Sequence, residues 1–163
     1  LLFEPVHGIL MAGDALWEHG VGVIFPEFDG SGGFDTFTDT LALIGRLDPA
    51  IVVPGHGAPF GREGGAIQAA MARARARIEH FNAHPEQHAL YAAKVLIKYQ
   101  LLDVASMRPA DFRHWLEQTP ALRTLHRQHR PDADWNDWLA HILAPMFSKG
   151  VLRRDDTHVH DGV

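Results

Sequence analysis

The stretch "IVVPGHGAPFG", Ile51 to Gly61, places one histidine between two glycines directly after an apolar run. Such a continuous apolar run is expected of a strand that is covered on both faces. His56 would then stand at the carboxyl end of that strand, where the ligand sites of open α/β sheets lie. Two interpretations compete: His56 is an ordinary loop residue, or it is a metal ligand.

A second stretch, "ILMAGDALW" (Ile9 to Trp17), is built in the same way, with Gly13 and Asp14 following an apolar run. Glycine beside each polar residue lets the backbone approach a neighbouring loop or a metal closely. Imidazole and carboxylate without thiolate suit zinc, iron or manganese. Alone, Asp14 would be interpreted as a turn or N-cap aspartate, but its pairing with His56 favours two ligands of one metal site.

The chain between these stretches predicts a helix and a further strand. Apolar residues recur at a spacing of three and four after the "GSGG" loop, which predicts an amphipathic helix. "VGVIFPEF", Val21 to Phe28, is β-branched and aromatic, and Pro26 places this strand at an edge or an irregular end. Residues 1–60 therefore predict the order β-β-(β)-α-β, an α/β fold. The helical stripe consists of Phe34, Phe37, Leu41, Ile44 and Leu47.

The rest of the chain predicts a mostly α domain. Apolar stripes predict successive helices, interrupted at Pro85, and the strongest is "DWNDWLAHILAPMFSKG". "VLRRDDTHVH" follows as two strand-like pieces about an Asp-Asp turn. Helices followed by a hairpin have the outline of a winged helix, so we assign residues 1–62 to an α/β domain and 63–163 to a helical, winged-helix-like domain.

The composition of this 163-residue chain excludes some kinds of site and some kinds of partner. The absence of cysteine excludes disulfides, thiolate zinc sites and cysteine nucleophiles, whereas twelve histidines leave a His/Asp/Glu metal site open. A net charge of −5, with acids and bases balanced in the C-terminal region, predicts no nucleic acid and no anionic membrane as partner. With no membrane-length apolar run and no signal-peptide shape, we expect a cytoplasmic location.

"ILMAGDALW" and "IVVPGHGAPFG", in this order with a helix between them, resemble the C-terminal half of a metallo-β-lactamase-fold hydrolase of the glyoxalase II-like superfamily. The resemblance covers residues 1 to 61 and implies part of an αββα sandwich. It also implies two divalent metal ions, zinc or else iron or manganese, that activate a hydroxide. Asp14 would bridge the two ions and orient the nucleophile, which makes it catalytic as well as a ligand, and His56 would bind the second ion.

The sequence also departs from that family. The H-x-H-x-D-H motif, which supplies most of the family's ligands, does not occur, so the chain carries two of the expected ligands. A catalytic zinc site normally has three protein ligands. We therefore expect a fragment of a metal-dependent hydrolase of a small thioester, ester or lactone, inactive as this chain alone. The alternative is a non-enzymatic partner-binding module with a remnant metal site.

The resemblance also implies that the isolated chain has an uncovered apolar surface. Half of a two-sheet sandwich leaves an apolar sheet face that its missing half should cover. We expect the isolated chain to aggregate, to oligomerise through that face, or to depend on the helical domain for its order. The helical region is expected to cover the active site or to form a homodimer, and no substrate-binding residue is assigned.

Overall fold

The fold is mixed α/β and divides into two compact units, Leu1–Ala83 and His84–Val163. The computed structural model describes residues 1–26 and 33–162. The predicted domain boundary after residue 62 stays a prediction, and the division by compactness comes later in the chain, after Ala83. In the described part, no helix is both long enough and apolar enough to cross a membrane.

In the first unit, the described residues form a small sheet of four strands in sequential order. The first and last pairs of strands are antiparallel, and the central pair is parallel. A parallel pair requires a crossover connection, which here includes a helix. The strands are β1 (Leu2–Glu4), β2 (Ile9–Gly13), β3 (Ile51–Pro54) and β4 (Phe60–Gly61).

One face of this sheet is buried against two helices, α1 (Gly33–Leu47) and α2 (Ala66–Ala83). The stripe predicted for α1 is confirmed, because Leu41 and Ile44 are fully buried and its other members pack against the same core. Burial of one apolar stripe supplies most of the stability of such a helix. The sheet contributes Leu10, Val52 and Phe60 to this core, and α2 contributes Ile67, Ala70, Met71, Ala74 and Ile78.

The opposite face of the sheet is apolar and exposed. Leu2, Met11 and Ile51 keep 64%, 55% and 41% of their surface accessible. Leu2 pairs with Met11 across β1 and β2, and successive strand residues point to opposite faces, so these side chains alternate with the buried Leu10 and Val52. We call Leu2, Met11 and Ile51 the open sheet face.

The prediction of a strand over Val21–Phe28 is wrong for residues 21–25. Residues 21–25 form no strand, and Phe28 lies outside the described residues. The N–H of Gly22 donates to the carbonyl of Asp14 at 2.8 Å, which is a loop contact rather than a ladder. A β-branched composition was therefore a poor guide where proline and a local loop contact compete with strand pairing.

The described residues of the second unit form four helices and a three-stranded antiparallel sheet. Three of the helices have proline in their first turn, where its missing N–H costs nothing. In chain order the elements are α3 (Pro85–Val104), β5 (Ser106–Met107), α4 (Pro109–Gln118), α5 (Pro120–His129), α6 (Trp135–Ser148), β6 (Leu152–Arg154) and β7 (Val159–Asp161).

The N-terminus of α6 is capped by Asp134. Its carboxylate accepts the backbone N–H groups of Asn136 and Asp137 at 2.8 and 3.2 Å. These N–H groups have no partner within the helix, so the cap satisfies two donors that would otherwise need water.

The turn of the β6–β7 hairpin is organised by Asp155. Its carboxylate accepts the backbone N–H and hydroxyl of Thr157 and the backbone N–H of His158, and it contacts His160 Nε2 at 2.8 Å. Hydrogen bonds from Thr157 first, then from His158 and His160, hold the pKa of the Asp155 carboxyl well below its ordinary value of 3.8.

Candidate metal centre

The two predicted ligands follow neighbouring strands of the first unit. Strands β2 and β3 are parallel, with Leu10 opposite Val52 and Gly13 opposite Pro54. Because parallel strands end at the same edge of a sheet, the residues that follow them emerge side by side. The register shifts between Met11 and Gly13, an irregularity of the kind that commonly re-aims a side chain at the end of a strand.

Asp14 and His56 lie close together at this edge. The Nε2 atom of His56 is 3.9 Å from the Oδ1 atom of Asp14. Both side chains are largely exposed, at 71% for His56 and 65% for Asp14. A polar contact this exposed contributes about 0–1 kcal/mol, so the pair has little role in holding the fold. Because both side chains are exposed, a ligand could reach them.

Gly55 explains how the two loops approach each other. Its N–H donates to the carbonyl of Gly13 at 2.8 Å. A Cβ atom at Gly55 would lie 2.5 Å from Asp14 Oδ1 and 3.1 Å from the backbone carbon of Gly13. The close approach that the sequence predicted for the glycines therefore applies at Gly55.

Gly22 confines Asp14 from the other side. A Cβ atom at Gly22 would lie 2.6 Å from the Asp14 Cβ atom and 2.9 Å from its carbonyl oxygen. Real Cβ atoms do not tolerate contacts this short, so the backbone would have to move. Asp14 is thus held between two glycine backbones, a feature that the "MAGDAL" motif alone did not predict.

Trp17 is the aromatic neighbour of His56. Their ring centroids are 4.8 Å apart with planes at 74°, an edge-to-face contact. The indole Nε1 of Trp17 is buried and has no hydrogen-bond partner among the described residues. The ring of Trp17 therefore lies against the predicted ligand His56.

The donor set fits part of a divalent metal site. Zinc bonds imidazole nitrogen and carboxylate oxygen at about 2.0–2.2 Å, which places two tetrahedral ligand atoms about 3.4 Å apart. The observed 3.9 Å is within a small side-chain rotation of that value. Among residues 1–26 and 33–162, no group of three or more His, Asp or Glu residues could hold a metal. The described residues therefore offer two donors at this edge.

Comparison with known proteins identified no relative of this chain. No family model, no curated protein and no solved structure matches this chain. The residues and the geometry at the ends of β2 and β3 are therefore what indicates a function for this chain.

Proposed function

We propose that this chain supplies Asp14 and His56 to the metal centre of a metallo-β-lactamase-fold hydrolase. The observation that carries the proposal is their convergence, 3.9 Å apart, at the ends of two adjacent parallel strands. Because Gly55 leaves room for the Asp14 carboxylate, the two loops lie closer than a side chain would permit. The substrate that we propose is a small thioester, ester or lactone.

The architecture of the first unit supports the αββα sandwich as its complete form. Helices α1 and α2 cover one face of the sheet, and the open sheet face is apolar. A second sheet packed on Leu2, Met11 and Ile51 would complete two layers around one apolar core. The metal site would then lie at the edge where the strands of both sheets end.

Each residue of the pair has a distinct role in this proposal. Asp14, an anion held between Gly22 and Gly55, would bridge two divalent ions and orient the attacking nucleophile. His56 would bind one ion through imidazole nitrogen, with Trp17 limiting the rotation of its ring. When bound, two divalent ions, zinc or else iron or manganese, would lower the pKa of a water molecule and polarise the substrate's carbonyl group.

The ligand count supports inactivity of the chain alone. A catalytic zinc ion normally has three protein ligands and one open position. Residues 1–26 and 33–162 bring two donors together and no larger group. Turnover would therefore require further ligands from outside the described residues.

We propose a winged-helix-like fold for the second unit. The order of α3, β5, α4, α5, α6 and the β6–β7 hairpin, with β5 added to the hairpin's sheet, supports it. The balance of acids and bases in this region favours a role in covering a site or in dimerisation over DNA binding.

The second candidate function is a non-enzymatic partner-binding module. The open sheet face favours it, because an apolar surface of this kind marks an interaction site in many proteins. In that case Asp14 and His56 would be remnants of a lost metal site.

Metal content and turnover test the proposal. The chain alone and the protein at its natural length are analysed for bound metal and assayed with thioester, lactone and phosphodiester substrates. We expect metal and turnover in the natural-length protein, with both lost in Asp14→Asn and His56→Gln. His19→Gln, an exposed histidine beside the site, is the matched control and should retain both.

Two results would contradict this scheme. Stoichiometric metal with turnover from the chain alone would overturn its inactivity. A natural-length protein that binds no metal and hydrolyses none of the substrates would favour the binding module.

A further inference from the structure

A cavity of about 490 Å³ lies within the second unit, between α4, α6 and the β6–β7 hairpin. Its size is within the range of about 300–1,000 Å³ that is typical of small-molecule sites. The floor is apolar, and Leu143 and Phe147 of α6 are only half-buried there. Phe112, Leu116, Leu139 and Val159 complete the apolar lining.

The polar part of the lining carries a net positive charge. Arg113 of α4 and Arg154 of β6 contribute two guanidinium groups, and Glu117 contributes one carboxylate. Neither arginine forms an ion pair with any residue of the described ranges. The cavity therefore combines an apolar floor with one uncompensated positive charge.

We propose that this cavity binds a small amphipathic monoanion, an alkyl chain or a ring that ends in a carboxylate. The guanidinium fork matches a carboxylate through paired charge-assisted hydrogen bonds. The apolar part of the ligand would cover Leu143 and Phe147. A monoanion balances the lining, whereas a phosphate monoester would bring between one and a half and two negative charges, roughly.

This site is independent of the proposed hydrolase activity, because all of its residues belong to the second unit. If the cavity binds no monoanion, the proposed metal site at Asp14 and His56 is unaffected. Failure of the metal site would equally leave the cavity and its two arginines in place.

Isothermal titration calorimetry with octanoate, below the concentrations at which it forms micelles, tests the proposal on the full chain. Octyl phosphate, octanol and octyltrimethylammonium share the alkyl chain and differ in charge. We expect one octanoate per chain, with each of the other three probes binding at least about tenfold more weakly.

Matched variants separate the cavity from general surface effects. Arg154→Gln should weaken octanoate binding about tenfold, since a charge-assisted pair is lost. Arg153→Gln, the neighbouring exposed residue outside the cavity, should leave it unchanged. Ala140→Leu fills the cavity from an exposed position of α6 and should abolish binding, whereas Ala144→Leu, one turn later and outside the lining, should not.

Four outcomes would overturn the proposal: no saturable binding of octanoate, octanol binding as tightly as octanoate, tighter binding of octyl phosphate, or equal losses in Ala140→Leu and Ala144→Leu. All of these variants replace exposed side chains, so circular dichroism should show an unchanged fold.

Discussion

The open sheet face should make the chain self-associate, and Met11→Lys should reverse this. Met11 lies on β2 between Leu2 of β1 and Val53 of β3, so a lysine there would place a charge on the apolar surface. Within the monomer the substitution should cost little, roughly 0.5 kcal/mol or less, because the lysine stem can cover the strand while its ammonium group reaches water.

The exposed apolar area determines how strongly the chain should self-associate. Roughly half of each of three side chains, Leu2, Met11 and Ile51, remains to be buried. Fully burying one such side chain is worth about 1.5–3 kcal/mol, so a covering partner would gain roughly 2–5 kcal/mol per copy. Two copies would gain roughly 4–10 kcal/mol, against about 4–15 kcal/mol for lost freedom on association. Self-association should therefore be weak and depend on concentration.

Sedimentation velocity over a concentration series measures the self-association. We expect the sedimentation coefficient of the wild-type chain to rise with concentration, and Met11→Lys to shift the midpoint at least about tenfold higher, the equivalent of about 1.4 kcal/mol. Leu43→Lys is the matched control, since Leu43 is an exposed apolar residue of α1 away from the open sheet face. A wild-type chain that stays monomeric throughout, or a control that shifts as far as Met11→Lys, would refute the reasoning.

Three further predictions concern stability. Gly22→Ala should lower the free energy of unfolding by about 1–3 kcal/mol in urea titrations, because the new Cβ would meet Asp14 at 2.6 Å; an unchanged midpoint would contradict this. Asp134→Ala should cost about 1 kcal/mol through loss of the α6 cap, whereas Asp134→Asn should stay near wild type, and equal losses in both would argue against capping. The carboxyl of Asp155, with its pKa lowered chiefly by Thr157, should remain ionised below pH 3.8 when followed by carbon NMR. Its stabilising contribution should be complete above that pH and disappear as the pH falls through the lowered pKa, so titration at or above 3.8 would contradict the hairpin geometry.

The sequence alone predicted the features that have a local pattern. The stripe of α1 and the long helices of the second unit follow a period of three to four residues, and helix packing then buried those stripes. The juxtaposition of Asp14 and His56 was also predictable, because two apolar runs joined through a helix favour parallel strands that end at one edge.

Tertiary structure decided the features without such a pattern. Strands β4 and β5 have two residues each, too few for any periodicity, and they exist because a partner strand, β3 for β4 and the distant β7 for β5, offers hydrogen bonds. Residues 21–25 had the composition of a strand, but Gly22 bonds to Asp14 instead. The edge-to-face contact between Trp17 and His56 likewise depends on how two loops meet in space. Sequence thus determined which residues could be ligands, whereas only the packing of the two glycine backbones around Asp14 decided how closely its carboxylate approaches His56.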